Sequence, residues 1–251
     1  MAESLNQSVR KAFEILSFIV DNPGNQKLSL NQMARALQMN KTTLFRFLNT
    51  LESLNLLDKK DDLYVPGIKL FELGSKVPVK ELIVDKVHPV LMRLTGEVNE
   101  TVNMGELSGS RVLYLDKSES KRSLQIQTYV GDYIELYCTA LGKAVLSVLP
   151  KSRRDTIMAG MNFEKRTPNT ITDPRQLNAQ IEDVSQKGYS MDMEELEEGL
   201  HCVAVPLFIE ELNFFGAISC SGPSVRFTSR YMAELADHLK NTVKEIKQVF
   251  R

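Results

Sequence analysis

The sequence predicts an α+β chain in two parts, a small helical head followed by a larger domain centred on a sheet. Three observations carry this. Apolar residues recur at helical spacing three times within the first 55 residues. A short charged turn between apolar residues comes next, closed by Pro66-Gly67. Beyond residue 79, strand-like runs alternate with helical stretches that precede, separate and follow them.

In the head, Val9, Ala12, Phe13, Leu16, Ile19 and Val20 form one stripe, and Asn22-Pro23-Gly24 stops that helix. Leu30, Met33, Ala34 and Leu37 form a second stripe. Leu44, Phe47, Leu48 and Leu51 form a third. Only residues Gln38 to Lys41 separate the second from the third, so those helices must cross. Leu56 to Gly67 then reads as a small hairpin, or wing, with Lys59 and Lys60 near its turn. A helical stretch with Ile68, Leu70, Phe71 and Leu73 ends near Pro78. The expected division is a winged helix-turn-helix over 1–66, a linker helix over 67–78 and a second domain over 79–251.

In the second domain, residues 79–97 read as a helix with a kink at Pro89. Strands are expected at Val102–Leu107, Val112–Lys117, Leu124–Val130 and Ile134–Leu136, with Gly131-Asp132 as a turn. Helices follow at about Gly142–Leu149, 151–160 and 175–187. Two strong strands, Cys202–Ile209 and Phe214–Ser221, precede a closing helix from Thr228, a good N-cap, to about Phe250.

Leu30 to Leu48 fits a helix-turn-helix. Ala34 is small where two helices must approach, and Asn40 can cap the second helix. Lys41, Thr42, Thr43, Phe45, Arg46 and Asn49 lie off the apolar stripe or near its start, where they can face a major groove. Lys41 and Arg46 suit phosphate or a guanine edge. Asn49 suits adenine or backbone, and the threonines suit phosphate or a thymine methyl. Lys59 and Lys60 suit the flanking backbone or minor groove. The same pattern also suits a three-helix bundle that packs on a protein partner. Gln38 stands where the turn tends to need φ > 0, a position often given to Gly.

Composition narrows the rest. The chain has 251 residues, 43% hydrophobic and 25% charged, with a net charge of -1. The head carries eight Lys and Arg against seven Asp and Glu. DNA binding must therefore depend on where its cations sit, not on bulk charge. The cysteines, Cys138, Cys202 and Cys220, are odd in number and form no CxxC pair, which points to a reducing compartment. No apolar run approaches a membrane span, and Arg10, Lys11 and Glu14 interrupt any signal-peptide pattern, so the cytoplasm is expected. No nucleotide, hydrolase or zinc motif appears, and His88, His201 and His238 lack metal-ligand spacing. His201 and Cys202, adjacent on one strand, point to opposite faces and cannot pair as base and nucleophile. No enzymatic role, cofactor or metal is expected.

Thr139-Ala140-Leu141-Gly142-Lys143 sits where a strand gives way to a helix. Amides and dipole at such a helix start suit a carboxylate, and Thr139 could cap the helix or bond a ligand. Ser219 and Ser221 alternate, so both hydroxyls share one face, and Cys220 between them faces the other. The serines could instead satisfy strand ends. Asp192 could accept from a ligand hydroxyl or simply cap its loop, and Cys202 could be a packing residue. The acidic run Glu194–Glu198 reads mostly as a solvated face, with Glu198 a candidate partner for a backbone amide.

Three C-terminal segments are more specific: Gly188 to Glu195, Glu198-Gly199-Leu200-His201-Cys202-Val203-Ala204-Val205-Pro206, and Gly216 to Pro223. Through them and the helix-turn-helix, the chain from about Ser8 to Lys247 resembles the IclR family of bacterial regulators. Lys69–Gly74 and Glu197–Cys202 look most like its pectin and ketodeoxygluconate regulators. The resemblance implies a winged helix-turn-helix, a linker helix and a GAF-like effector domain with a central antiparallel sheet. It implies a homodimer or homotetramer on a palindromic double-stranded operator, controlled by a small carboxylate such as a keto acid or sugar acid. The subgroup implies repression. Family pocket positions map onto Ile126, Ala140, Leu141, Asp192, Leu200, Cys202, Ser219 and Ser221. The family often has a smaller residue where Leu141 stands, which implies a narrower pocket mouth.

Overall fold

The structure, a computed structural model, describes residues 6–21, 28–124 and 127–250. It separates into two units, Met1–Pro78 and Val79–Arg251.

In the first unit, α1 (Gln7–Val20) starts on Asn6, whose side chain accepts from the amides of Ser8 and Val9. The stop expected at Asn22-Pro23-Gly24 lies outside the described residues. Strand β1 (Leu28–Ser29) leads into α2 (Leu30–Ala36), where Ser29 and Gln32 cap each other reciprocally. Helix α3 (Lys41–Ser53) starts on Asn40, which accepts from the Thr42 amide at 2.9 Å. Between α2 and α3, Gln38 takes φ 51°, the left-handed conformation expected from its position in the turn. Ile15, Met33, Leu44, Leu48 and Leu57 are fully buried between these elements. The wing is a hairpin of β2 (Leu57–Lys60) and β3 (Leu63–Pro66), turned by Asp61 and Asp62, both at positive φ. The two-residue β1, too short for a sequence pattern, completes a three-stranded sheet in the order β1-β3-β2. Helix α4 (Ile68–Gly74) follows.

The second unit begins with α5 (Val79–Val98), one helix that continues through Pro89. The strands are β4 (Thr101–Ser108), β5 (Arg111–Ser118), β6 (Tyr133–Glu135), β7 (Ser190–Met193), β8 (Leu200–Ile209) and β9 (Phe214–Pro223). They form an antiparallel sheet in the order β6-β5-β4-β9-β8-β7. Helices α6 (Ala140–Ser147), α7 (Lys151–Ala159) and α8 (Pro174–Lys187) intervene, and α9 (Ser229–Val249) closes the chain from its N-cap Thr228. Apolar residues of α5 and α9 pack with Val102, Met104, Val203, Val205 and Cys220 of the sheet. A second core joins α6, α7 and α8 to Val112, Tyr114, Ala204 and Ala217.

Two expectations need correction. The described part of Leu124–Val130 is not a strand. Leu124, Tyr129 and Val130 are exposed, and the described residues of the run enter no strand pairing; Thr128 is held by side chains instead, donating to Asn103 Oδ1 at 2.8 Å while its carbonyl accepts from Lys117 Nζ at 2.6 Å. Helix α6 starts at Ala140, two residues before the expected Gly142, because Thr139 accepts from the Gly142 amide at 3.0 Å and sets the cap there. Strand β7 was not anticipated as a strand. It is four residues long and pairs with β8 alone, from Ser190↔Ala204 to Met193↔His201.

Candidate functional site

In the first unit, Lys41, Thr42, Thr43, Phe45, Arg46 and Asn49 are all exposed on α3, while Leu44, Leu48 and Leu51 hold the opposite face in the core. Lys59 and Lys60 are exposed on β2. Lys59 is tied at 2.7 Å to Asp62 across the hairpin turn and lies over the Tyr64 ring. That hydrogen bond raises the lysine pKa and lowers that of Asp62.

In the second unit, one cavity of about 360 Å³ collects Thr139, Ala140, Leu141, Asp192, Leu200, Cys202, Ser219 and Ser221. Ile126 lies outside the described residues. Three parts of the fold bring the set together. The start of α6 supplies Thr139 to Leu141, β7 supplies Asp192, and β8 and β9 supply the rest. Arg111, Tyr114, Thr128 and Tyr133, not anticipated from the sequence, also line it.

Each polar group has a definite state. The Thr139 hydroxyl donates to the Glu135 carbonyl at 2.6 Å and accepts from Gly142, so it is committed to the cap. The amides of Ala140 and Leu141, in the first turn, have no intrahelical acceptor by construction. Gly142 lets α6 start this deep, since a Cβ there would sit 2.3 Å from the Leu136 carbonyl oxygen. Ser219 and Ser221 are buried on the cavity face of β9, and Cys220 is buried on the other face. Ser221 Oγ accepts from Asn103 Nδ2 at 3.4 Å, and Thr128 donates to Asn103 Oδ1 at 2.8 Å. Arg111 stacks over the Tyr133 ring, 4.6 Å from its centroid.

Asp192 has no exposed surface. One oxygen, Oδ1, accepts from the Glu195 amide at 2.7 Å, so the residue does cap its turn. The other, Oδ2, is buried without a partner. Burial pushes the carboxyl up to about 7 against the lowering effect of the Glu195 amide. The Cys202 and Cys138 thiols are likewise raised by burial, which keeps them protonated and poorly nucleophilic. His201 bonds the Phe227 carbonyl at 2.8 Å, away from Cys202.

The acidic run departs from expectation. Glu195 is buried and bonds Lys143 Nζ at 2.5 Å, and Lys143 also reaches Gln180 at 2.8 Å. The Gly199 amide is held by Glu194, not by Glu198. Thr167 and Thr170 pin the same turn by donating to the carbonyls of Glu194 and Glu195. A signal for Lys143 was present, since it is the one charge in the apolar run Ala140–Leu149.

A head with a capped, outward-facing helix after a tight turn, braced by a wing, defines a helix-turn-helix transcriptional regulator. The IclR helix-turn-helix domain matches residues 8–61, and the bacterial transcriptional regulator IclR C-terminal domain matches residues 77–248. The chain therefore belongs to the IclR family. It is similar to the HTH-type transcriptional regulator KdgR of Escherichia coli, at 28% identity over 95% of this chain and 90% of that one. KdgR of Dickeya chrysanthemi is 29% identical over 95% and 78%. The crystal structure of the Thermotoga maritima IclR aligns with TM-score 0.65 and 33% identity over 97% of this chain and 98% of that one. These relatives are regulators, not enzymes, and the chain is KdgR-like among them.

Proposed function

We propose that the protein is a repressor whose affinity for a palindromic operator is set by a small carboxylate, a keto acid or sugar acid, held in the second-unit cavity. The carrying observation is the convergence of the Ala140 and Leu141 amides with Asp192, Ser219 and Ser221 in one cavity lined also by Leu200 and Cys202. A helix start favours an anion, and a few polar groups among apolar walls fix orientation. Ile126 remains part of the proposed lining by resemblance. Relatives named Transcriptional repressor IclR and Acetate operon repressor support the sign of the control.

Operator reading falls to Lys41, Thr42, Thr43, Phe45, Arg46 and Asn49, with Lys59 and Lys60 of the wing on flanking backbone. A palindrome requires two heads. Exposed Val9 and Phe13 of α1 and Ile68 and Phe71 of α4 support self-association into a homodimer or homotetramer. Residues 67–78, helical over Ile68–Gly74, act as the linker that carries the ligand's preference to the head. That preference can be no larger than the ligand's differential affinity for the two states.

The test is the variant S219A/S221A. It should bind operator DNA like the wild type in a mobility-shift assay and lose release by acids that a thermal-shift screen selects. Unchanged release would remove the cavity assignment.

A further inference from the structure

The cavity already contains a carboxyl group where an acid is to be bound. Asp192 is fully buried, its Oδ2 has no partner, and its side chain lines the cavity. The groups that act on it come from every side. Glu195 lies on the same turn, Lys143 on α6, Cys202 opposite on β8, Tyr114 on β5 and Cys138 just before α6. Arg111, Asp132 and Glu197 also line the cavity, and all three are solvent-exposed.

Lys143 could in principle neutralise Asp192. Its ammonium is instead committed to Glu195 at 2.5 Å and to Gln180 at 2.8 Å. That buried pair sums to zero charge, so an ionised Asp192 leaves the Lys143, Glu195 and Asp192 cluster one negative charge in excess. A ligand carboxylate on the α6 amides would add a second. Two carboxylates sharing one weakly solvated site cannot both stay ionised without a large penalty, and a proton relieves it. The unpartnered Oδ2 is the place for that proton. The Oδ1 atom keeps its bond from the Glu195 amide in either state.

Resting on the reading of this cavity as a carboxylate site, we propose that the acid enters together with one proton from solvent, carried on Asp192 Oδ2. The carboxylic acid so formed donates a hydrogen bond to a ligand oxygen. Asp192 is thus a donor in the complex, where the sequence pointed to an acceptor. Because burial already lifts the empty-site carboxyl to about 7, the proton is in place below neutrality and must be taken up above it. Affinity should therefore fall by about tenfold between pH 6 and pH 8, a limit of one decade per pH unit for one linked proton.

Calorimetric titration of the full chain with pyruvate, glyoxylate and gluconate tests this, in two buffers of different ionisation heat at pH 6 and pH 8. Uptake approaching one proton per site at pH 8 is expected, with the tenfold loss of affinity. The variant D192N, whose amide can donate without titrating, should bind with no proton uptake and with equal affinity at both pH values. Wild-type binding without proton uptake at pH 8 would overturn the proposal, as would a D192N variant that keeps the wild-type pH profile. Binding by none of these acids at either pH would instead remove the carboxylate reading of the cavity, and the proposal with it.

Discussion

Replacing Asp192 by asparagine should stabilise the ligand-free protein at alkaline pH. The side chain is fully buried, and its carboxyl is raised to about 7 chiefly by desolvation. An aspartate in the unfolded chain titrates near about 3.9. A group whose folded pKa is raised binds more protons folded than unfolded across that interval. The contribution of Asp192 to stability is therefore most favourable below about pH 4 and declines as pH rises to about 7, above which the full loss applies. Three decades at about 1.4 kcal/mol each give roughly 4 kcal/mol above neutrality. The amide of the variant keeps the acceptor for the Glu195 N–H and does not titrate. Its own unpaired N–H costs about what the acid's O–H costs, so the two should match at low pH. D192N should thus exceed the wild type by about 2–4 kcal/mol at pH 8, roughly 5–12 °C in melting temperature, and the gap should close by pH 4. The sequence has no tryptophan, so melting is best followed by calorimetry or circular dichroism. A gap that does not change with pH, or a wild type that is more stable at pH 8, would refute the assignment of a buried, unpaired carboxyl.

Three further outcomes are expected. Replacing Lys41 or Arg46 by alanine should weaken operator binding and lower the salt slope by about 1 for each phosphate no longer neutralised, read by anisotropy titrations over a range of salt. An unchanged affinity and slope would remove that residue from the interface. Replacing Lys143 by methionine should destabilise the effector unit by about 3–5 kcal/mol, because it strands buried Glu195, and K143M/E195L should recover most of the loss. Denaturant melts decide this, and equal losses in the single and double variants would count against it. Q38G should be neutral or stabilise by up to about 1 kcal/mol, since glycine removes left-handed strain at φ 51° but adds freedom to the unfolded chain. A clear loss of stability would mean the turn is held by the Gln38 side chain.

Local signals made most of the fold legible. The helix stripes and the caps Asn40 and Thr228 are each decided within a few residues. The positive φ at Gln38 could be anticipated because the crossing of two helices over so short a link dictates it. Alternation placed Cys220 on the face opposite Ser219 and Ser221. The misses are tertiary. Leu124, Tyr129 and Val130 are strand-forming residues left exposed, which no local pattern reveals. The short β7 owes its existence to pairing with β8. Glu195 sits among acidic neighbours that look solvated, and its partner Lys143 lies 52 residues away, so neither the burial nor the pairing was visible.

The polar groups of the effector unit are concentrated where packing alone would exclude them. Lys143, Glu195, Asp192, Asn103, Ser219 and Ser221 are all buried at or beside one cavity. Two of their oxygens, Asp192 Oδ2 and Glu195 Oε2, have no partner, and each such group costs about 1–3 kcal/mol, more when charged. A core selected only for stability would replace them with aliphatic residues. Lys143 ties α6 to the 192–195 turn through Glu195, so one ion pair fixes both the amides of the helix start and the orientation of Asp192. Of the two unpartnered oxygens, only that of Asp192 belongs to a residue lining the cavity, so Oδ2 is the atom a ligand there could satisfy, and a ligand that does so returns that free energy as binding. It follows that the same acids that bind should stabilise the wild type by RT ln(1 + [L]/Kd) and so raise its melting temperature. The rise should be smaller at pH 8 than at pH 6 if Asp192 must first regain its proton.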